Sequence, residues 1–140
     1  MKAVFLALVA SFVWGVAPVI FKTGLGGRTD IAVALVVHNL SAFLVSLIYL
    51  LLAGTWSVAP RELVFLLLGG AFSGFLGMFF FFHAVKEGEV SVVAPIASIS
   101  PLWASILASL LLGERITVLR LLGALLIVMG TALLALSSKR

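Results

Sequence analysis

The stretch VSVVAPIASISPLWASILASLLL, Val90–Leu112, closed by Gly113-Glu114-Arg115, decides how this chain is read. Its 23 residues carry no charge, a length that lets a helix cross a bilayer. A turn of about 100° per residue from Ala94 sorts the side chains by size. Ala94, Ala97, Ser98, Pro101, Ala104, Ser105, Ala108 and Ser109 share one side; Ile96, Ile99, Trp103, Ile106, Leu107 and Leu110 take the other. Helices in lipid gain nothing from water when they associate, so the small side meets protein or a cavity and the bulky side meets acyl chains. Pro101, at the midpoint, has no N–H and clashes with the carbonyl of Ala97. Two readings fit. Either a freed carbonyl lines protein or a wet cavity, or the proline kinks an ordinary packed helix.

The rest of the chain agrees with a membrane setting. Its 140 residues allow one domain, and 64% hydrophobic against 10% charged residues is not the balance of a water-soluble fold. A net charge of +4 raises the question of nucleic acid, but the nine Lys and Arg are scattered one or two at a time between apolar runs. They read as membrane-edge anchors, with the lipid bilayer as partner and no nucleic acid. Without cysteine there is neither a disulfide framework nor a thiolate metal site. Met1-Lys2 before an apolar run mimics a secretory signal. The run continues to Phe21 without a good small-x-small cleavage site, so a retained first span is expected.

Five uncharged runs follow one another: Ala3–Phe21, Ile31–Ala59, Leu63–Phe82, Val90–Leu112 and Leu121–Ser138. Gly54-Thr55 ends the second helix near Ala53, and Thr117 opens the fifth. The expected fold is all-α, a polytopic membrane protein of one domain over residues 1–140, with a bundle of five transmembrane helices at about 3–21, 31–53, 63–82, 90–112 and 117–138. Asp30 and Pro60 are start signals for the second and third helices. Orientation follows the Lys/Arg bias of the short flanks. One face collects Lys2, Arg61, Arg115 and Arg120, the other Lys22, Arg28, Lys86, Lys139 and Arg140. That balance fits insertion in both orientations and an antiparallel pair, unless another determinant fixes one orientation.

All five acids, Asp30, Glu62, Glu87, Glu89 and Glu114, lie in the connections, so coupling through an embedded carboxylate is not expected. The deepest titratable group is His38, next to Asn39. It reads as an inter-helix hydrogen bond with Asn39 assisting, or as a substrate or pH contact. Trp14, in mid-span beside Gly15 and four residues before Pro18, reads as a substrate wall or as bulk packing. Gly70, Ser73, Gly74 and Gly77 mark a close-approach surface in the third span, and Gly123 and Gly130 a weaker one in the fifth. No nucleophile–base set, His/Glu metal spacing or phosphate loop appears, so neither catalysis nor a metal site is expected.

Trp14-Gly15, the small-residue fourth span with Pro101, Leu111-Leu112-Gly113-Glu114-Arg115-Ile116-Thr117, Leu122-Gly123-Ala124 and Met129-Gly130 together resemble EamA domains of the drug/metabolite transporter superfamily. The likeness runs over nearly the whole chain and is most specific in the tail. Most of that superfamily carries two oppositely oriented five-helix units in one chain. These residues hold one, as in the small five-span bacterial and archaeal members. The resemblance implies a transporter of small metabolites or drugs in the cell membrane, without a cofactor. It also implies that one copy is half a machine, completed by an antiparallel homodimer or an inverted partner subunit. Small multidrug-resistance relatives use a first-span glutamate; Trp14 stands at that general depth here, so their proton exchange is not carried over. Glu114, beside Arg115 at a helix end, is expected to act as a structural cap or salt bridge.

The expectation is therefore a small-solute transporter whose cavity takes in Trp14, His38, Asn39, Ser98, Pro101 and Ser105. The competing readings are a non-transporting accessory or scaffold subunit, one half of a heteromeric transporter, and a lipid flippase.

Overall fold

The computed structural model describes residues 1–137; the expected end of the last span at Ser138, with Lys139 and Arg140, lies outside them. The described residues form α1 (Lys2–Gly24), α2 (Ile31–Ala53), α3 (Pro60–Gly70), a π-helical segment (Ala71–Gly77), α4 (Met78–Glu87), α5 (Val90–Ala97), α6 (Ser100–Leu112) and α7 (Val118–Ser137). The π-helix joins α3 to α4 and a single turn joins α5 to α6. Five helical spans long and apolar enough to cross a membrane result: Lys2–Gly24, Ile31–Ala53, Pro60–Glu87, Val90–Leu112 and Val118–Ser137. The protein is an all-α, five-span membrane protein.

Local chemistry sets the ends. Asp30 accepts from the Ala32 N–H at 2.7 Å, satisfying one of the donors that a helix start leaves over. Pro60 opens α3, and Glu62 reaches back to the Ala59 N–H at 3.1 Å. The third helix thus starts before the apolar run does and runs on through Lys86 and Glu87, charged ends that lie beyond a hydrocarbon core. At the end of α6, Gly113 is left-handed (φ 69°), and the N–H groups of Gly113 and Glu114 both turn back to the Ala108 carbonyl. The Thr117 hydroxyl then accepts from the Arg120 N–H at 3.3 Å as α7 begins.

The chain divides into two compact units, Ile20–Glu87 and residues 1–19 with the chain from Gly88 onward. In the first, α2 packs on α4 around Leu25, Ile31, Leu35, Phe82 and Val85, the last with no exposed surface. In the second, α5 and α6 both pack on α7, where Ala124 and Thr131 are buried. The Thr131 hydroxyl bonds its own helix at the Val128 carbonyl. Large apolar side chains otherwise face outward along every span, as lipid-facing helices require. α1 runs through Pro18 without a break, lacking only the bond that the missing N–H would have made to Trp14.

Lys22 ties the Ile20–Glu87 unit together. Its ammonium donates to the carbonyls of Val85 at 2.7 Å and Lys86 at 3.2 Å, so the last turn of α1 satisfies the C-terminal carbonyls of α4. Lys86 in turn donates to the Thr29 carbonyl. Lys22→Met keeps the aliphatic stem and removes the charge and both bonds. It is expected to cost about 1–3 kcal/mol, read as a lower midpoint of thermal unfolding in detergent by circular dichroism. An unchanged midpoint would show that this clasp adds nothing.

Candidate functional site

In the Ile20–Glu87 unit the polar focus is Asn39. The third span changes register at Ala71–Gly77, where the Met78 N–H donates to Phe75 and not to Gly74, its partner in a regular α-helix. The Asn39 side-chain amide fills that place, donating to the Gly74 carbonyl at 3.0 Å and to the Leu35 carbonyl of its own helix at 2.9 Å. A Cβ on Gly74 would stand 2.8 Å from Asn39 Oδ1, so the approach depends on glycine there. One carboxamide thereby joins α2 to the third span. Beside it lies an apolar groove of about 590 Å³, lined chiefly by Val36, Leu40 and Phe43 of α2 and Phe75 and Phe79 of the third span.

His38, the neighbour of Asn39, points elsewhere. Its half-buried ring meets Phe21 and Phe82 edge to face, at centroid distances of 5.4 and 5.6 Å, and those two rings meet each other at 4.9 Å. Asn39, not His38, makes the hydrogen bond from α2 to the third span. His83 stacks its edge on Phe79 at 4.7 Å.

In the other unit the fourth span is broken. The Ser98 N–H reaches Ala94 and Pro95, Ile99 reaches Ile96, and Leu102 reaches Ile99, so tight turn bonds replace the α pattern between α5 and α6. Pro95 lies within α5 and Pro101 in the first turn of α6. Pro101 therefore opens a helix in place of kinking one, and the size-sorted side is two short faces with a turn between them. The Ser98 and Ser105 hydroxyls donate to Ala94 at 2.9 Å and Pro101 at 2.8 Å, each four residues back, which leaves their lone pairs as acceptors. Trp14 is 75% exposed.

The small residues differ in what surrounds them. Among the described residues, nothing lies within 4 Å of a Cβ built on Gly15, Gly70, Gly123 or Gly130, and Gly77 meets only the Phe72 carbonyl of its own helix at 3.3 Å. Ser73 bonds the Gly69 carbonyl of its own helix. Glu114 lies 4.0 Å from Arg120, whose guanidinium also donates to the Arg115 carbonyl, in an exposed turn where an ion pair adds little. Among the described residues no group of His, Asp and Glu could hold a metal ion.

Sequence reading finds Asn39 but not its partner, because nothing in the third span's composition other than its glycines signals a π-helix. It finds Pro101 and passes over Pro95, and it takes Lys22 only as a membrane-edge anchor. Phe21 and Phe82 carry no signal that would have placed them around His38.

These features describe a multi-pass membrane protein that offers apolar walls and a few hydrogen-bonding groups. The chain belongs to the EamA-like transporter family, which matches residues 1–136. It is 27% identical, over 103 residues, to an uncharacterized protein of Methanocaldococcus jannaschii, covering 74% of this chain and 75% of that one. No solved structure gives a significant match.

Gly74→Ala is expected to drive the Asn39 carboxamide out of its place and cost about 1–3 kcal/mol, with Asn39→Leu costing a similar amount. Because both act on one contact, the double variant should be less destabilised than the sum of the singles. Thermal unfolding in detergent measures all three, and simple additivity would dissolve the pairing.

Proposed function

We propose that the chain moves a small metabolite or drug-like solute across the cell membrane as an antiparallel pair of copies, ten spans in all, by alternating access. The observation that carries this reading is the broken fourth span. Irregular backbone at membrane depth is tolerated where it is covered by protein or lines a wet cavity, and broken helices of this kind form substrate sites in transporters. Ser98, Ser100 and Pro101, at the break, are exposed in the single chain, which leaves them open to a second unit or a cavity. The even division of Lys and Arg between the two faces supports insertion both ways, and family membership supports transport.

In this reading Trp14 supplies an apolar or cation-attracting wall. Ser98 and Ser105 offer their free lone pairs. The turn between α5 and α6 gives flexibility near the midpoint. Rocking of one copy against the other opens the cavity to each side in turn. Binding does not depend on a cofactor.

Proteoliposomes loaded with ethidium, a planar drug-like cation, test the cavity. Trp14→Ala and Ser98→Leu are each expected to slow flux about tenfold, the effect of one lost contact of about 1.4 kcal/mol. Flux that survives both changes would remove Trp14 and Ser98 from the path. Side-specific reporters at the two termini test the assembly. Signal from both sides, with homodimers on cross-linking, is expected; one clean orientation would point to an inverted partner subunit, and absence of self-association to an accessory role.

A further inference from the structure

The Asn39 carboxamide has a second end. Its Nδ2 donates to Leu35 and Gly74, whereas none of the described residues donates to Oδ1. Asn39 lies within the hydrophobic α2, about 5 Å of helix rise from its midpoint. Water is scarce there, and a carbonyl oxygen without a donor is unfavourable in hydrocarbon. The side chain is exposed, and it borders the groove formed with Phe75 and Phe79, whose lining is otherwise apolar. A volume of about 590 Å³ falls in the range of small-molecule sites, which combine greasy walls with a few placed polar groups.

We infer that this groove between α2 and the third span binds a flat apolar molecule carrying one hydrogen-bond donor, with the donor on Asn39 Oδ1 and the ring system between Val36, Leu40, Phe43, Phe75 and Phe79. The chemistry follows from the wall. Aromatic rings on the third span favour a flat, polarisable guest over a flexible chain. The lone acceptor selects an N–H or O–H over an ether or a hydrocarbon. A lipid acyl chain fills the same space but leaves Oδ1 without a donor. The bound amide group is held in place, because its other end is fixed by two backbone carbonyls, so the acceptor needs no reorganisation to receive the guest. The π-helical register is what creates the site: it supplies the Gly74 carbonyl that anchors Nδ2 and so directs which end of Asn39 is left over.

The guest's role as cargo rests on the transport reading above, whereas its binding does not. The test uses the full chain in lipid nanodiscs and two probes of nearly equal shape, carbazole with an N–H and dibenzofuran with an ether oxygen in its place. Empty nanodiscs correct for partition into lipid. Carbazole is expected to bind about tenfold more tightly than dibenzofuran, as one buried hydrogen bond dictates. Val36→Trp should abolish binding of both by filling the groove, without touching the Asn39–Gly74 contact. Equal affinities would mean a greasy groove without selection and overturn the inference, as would carbazole binding that persists in Val36→Trp. Disulfide cross-linking of Val36→Cys between two copies would make the groove an interface and overturn it as well. Binding is read here without flux, so failure of this site leaves the ethidium result standing, and failure of transport leaves the affinity ratio standing.

Discussion

Backbone satisfaction at membrane depth is the constraint on which this structure depends. An α-helix closes its own N–H and C=O groups, and a chain in hydrocarbon has no water to close any that are left. Two of the five spans depart from the regular pattern, and both do so near their middles: the π-helical Ala71–Gly77 within Pro60–Glu87, and the turn at Ser98–Ile99 within Val90–Leu112. Each departure carries a local remedy. At the first, a side chain from α2 donates to the Gly74 carbonyl, from which the Met78 N–H has turned to Phe75. At the second, N–H groups reach back three residues to Pro95, Ile96 and Ile99, while Pro101 has no N–H to offer the Ala97 carbonyl. The hydroxyls of Ser73, Ser98 and Ser105 follow the same rule, each donating to its own helix.

The charged residues obey a complementary rule. The carboxylates of Asp30 and Glu62 sit at helix starts, where they accept from backbone N–H groups, and Lys22 sits at a helix end, where it donates to carbonyls. Charge therefore marks and stabilises the ends of spans while the interiors keep neutral dipoles. The consequence for function is direct. All acids lie at or beyond the ends of the spans, so no carboxylate sits at mid-depth as it does in proton-coupled carriers, and in the transport reading proposed above recognition falls to rings, hydroxyls and a carboxamide.

How much of this was legible beforehand depends on the range of the interaction. The all-α, five-span architecture follows from uncharged runs, because length and hydropathy alone decide whether a helix spans. Family membership follows from the ordered tail around Gly113-Glu114-Arg115. Asp30, Pro60 and Thr117 act within four residues of themselves, so their roles can be read locally. Lys22 on Val85 and Asn39 on Gly74 cannot, since their partners lie 63 and 35 residues away. The π-helix escapes for a different reason. A spacing of three and four residues between Gly70, Ser73, Gly74 and Gly77 presupposes 3.6 residues per turn, and the wider turn redistributes those positions around the axis. Of that set's glycines, only Gly74 is pressed by another helix among the described residues.

What these features do to selectivity can be argued from their chemistry. Apolar walls discriminate weakly, since an added or missing methylene changes binding by about 1–3 kcal/mol, whereas a site built around a hydrogen bond rejects guests that lack the matching group more strongly. The first kind of surface describes the Trp14 wall of the transport proposal, the second the Asn39 groove inferred above. A protein carrying both separates two tasks: broad tolerance of shape from the rings, and a yes-or-no reading of a single donor from the carboxamide. The second task requires that Asn39 be unable to rotate toward whatever arrives. Its two bonds to the Leu35 and Gly74 carbonyls impose that restriction, and Gly74, by lacking a side chain, permits it. The irregular turn in the third span is therefore no defect in an otherwise regular helix. In the groove inferred above, it is the feature that fixes the polar group by which guests are told apart.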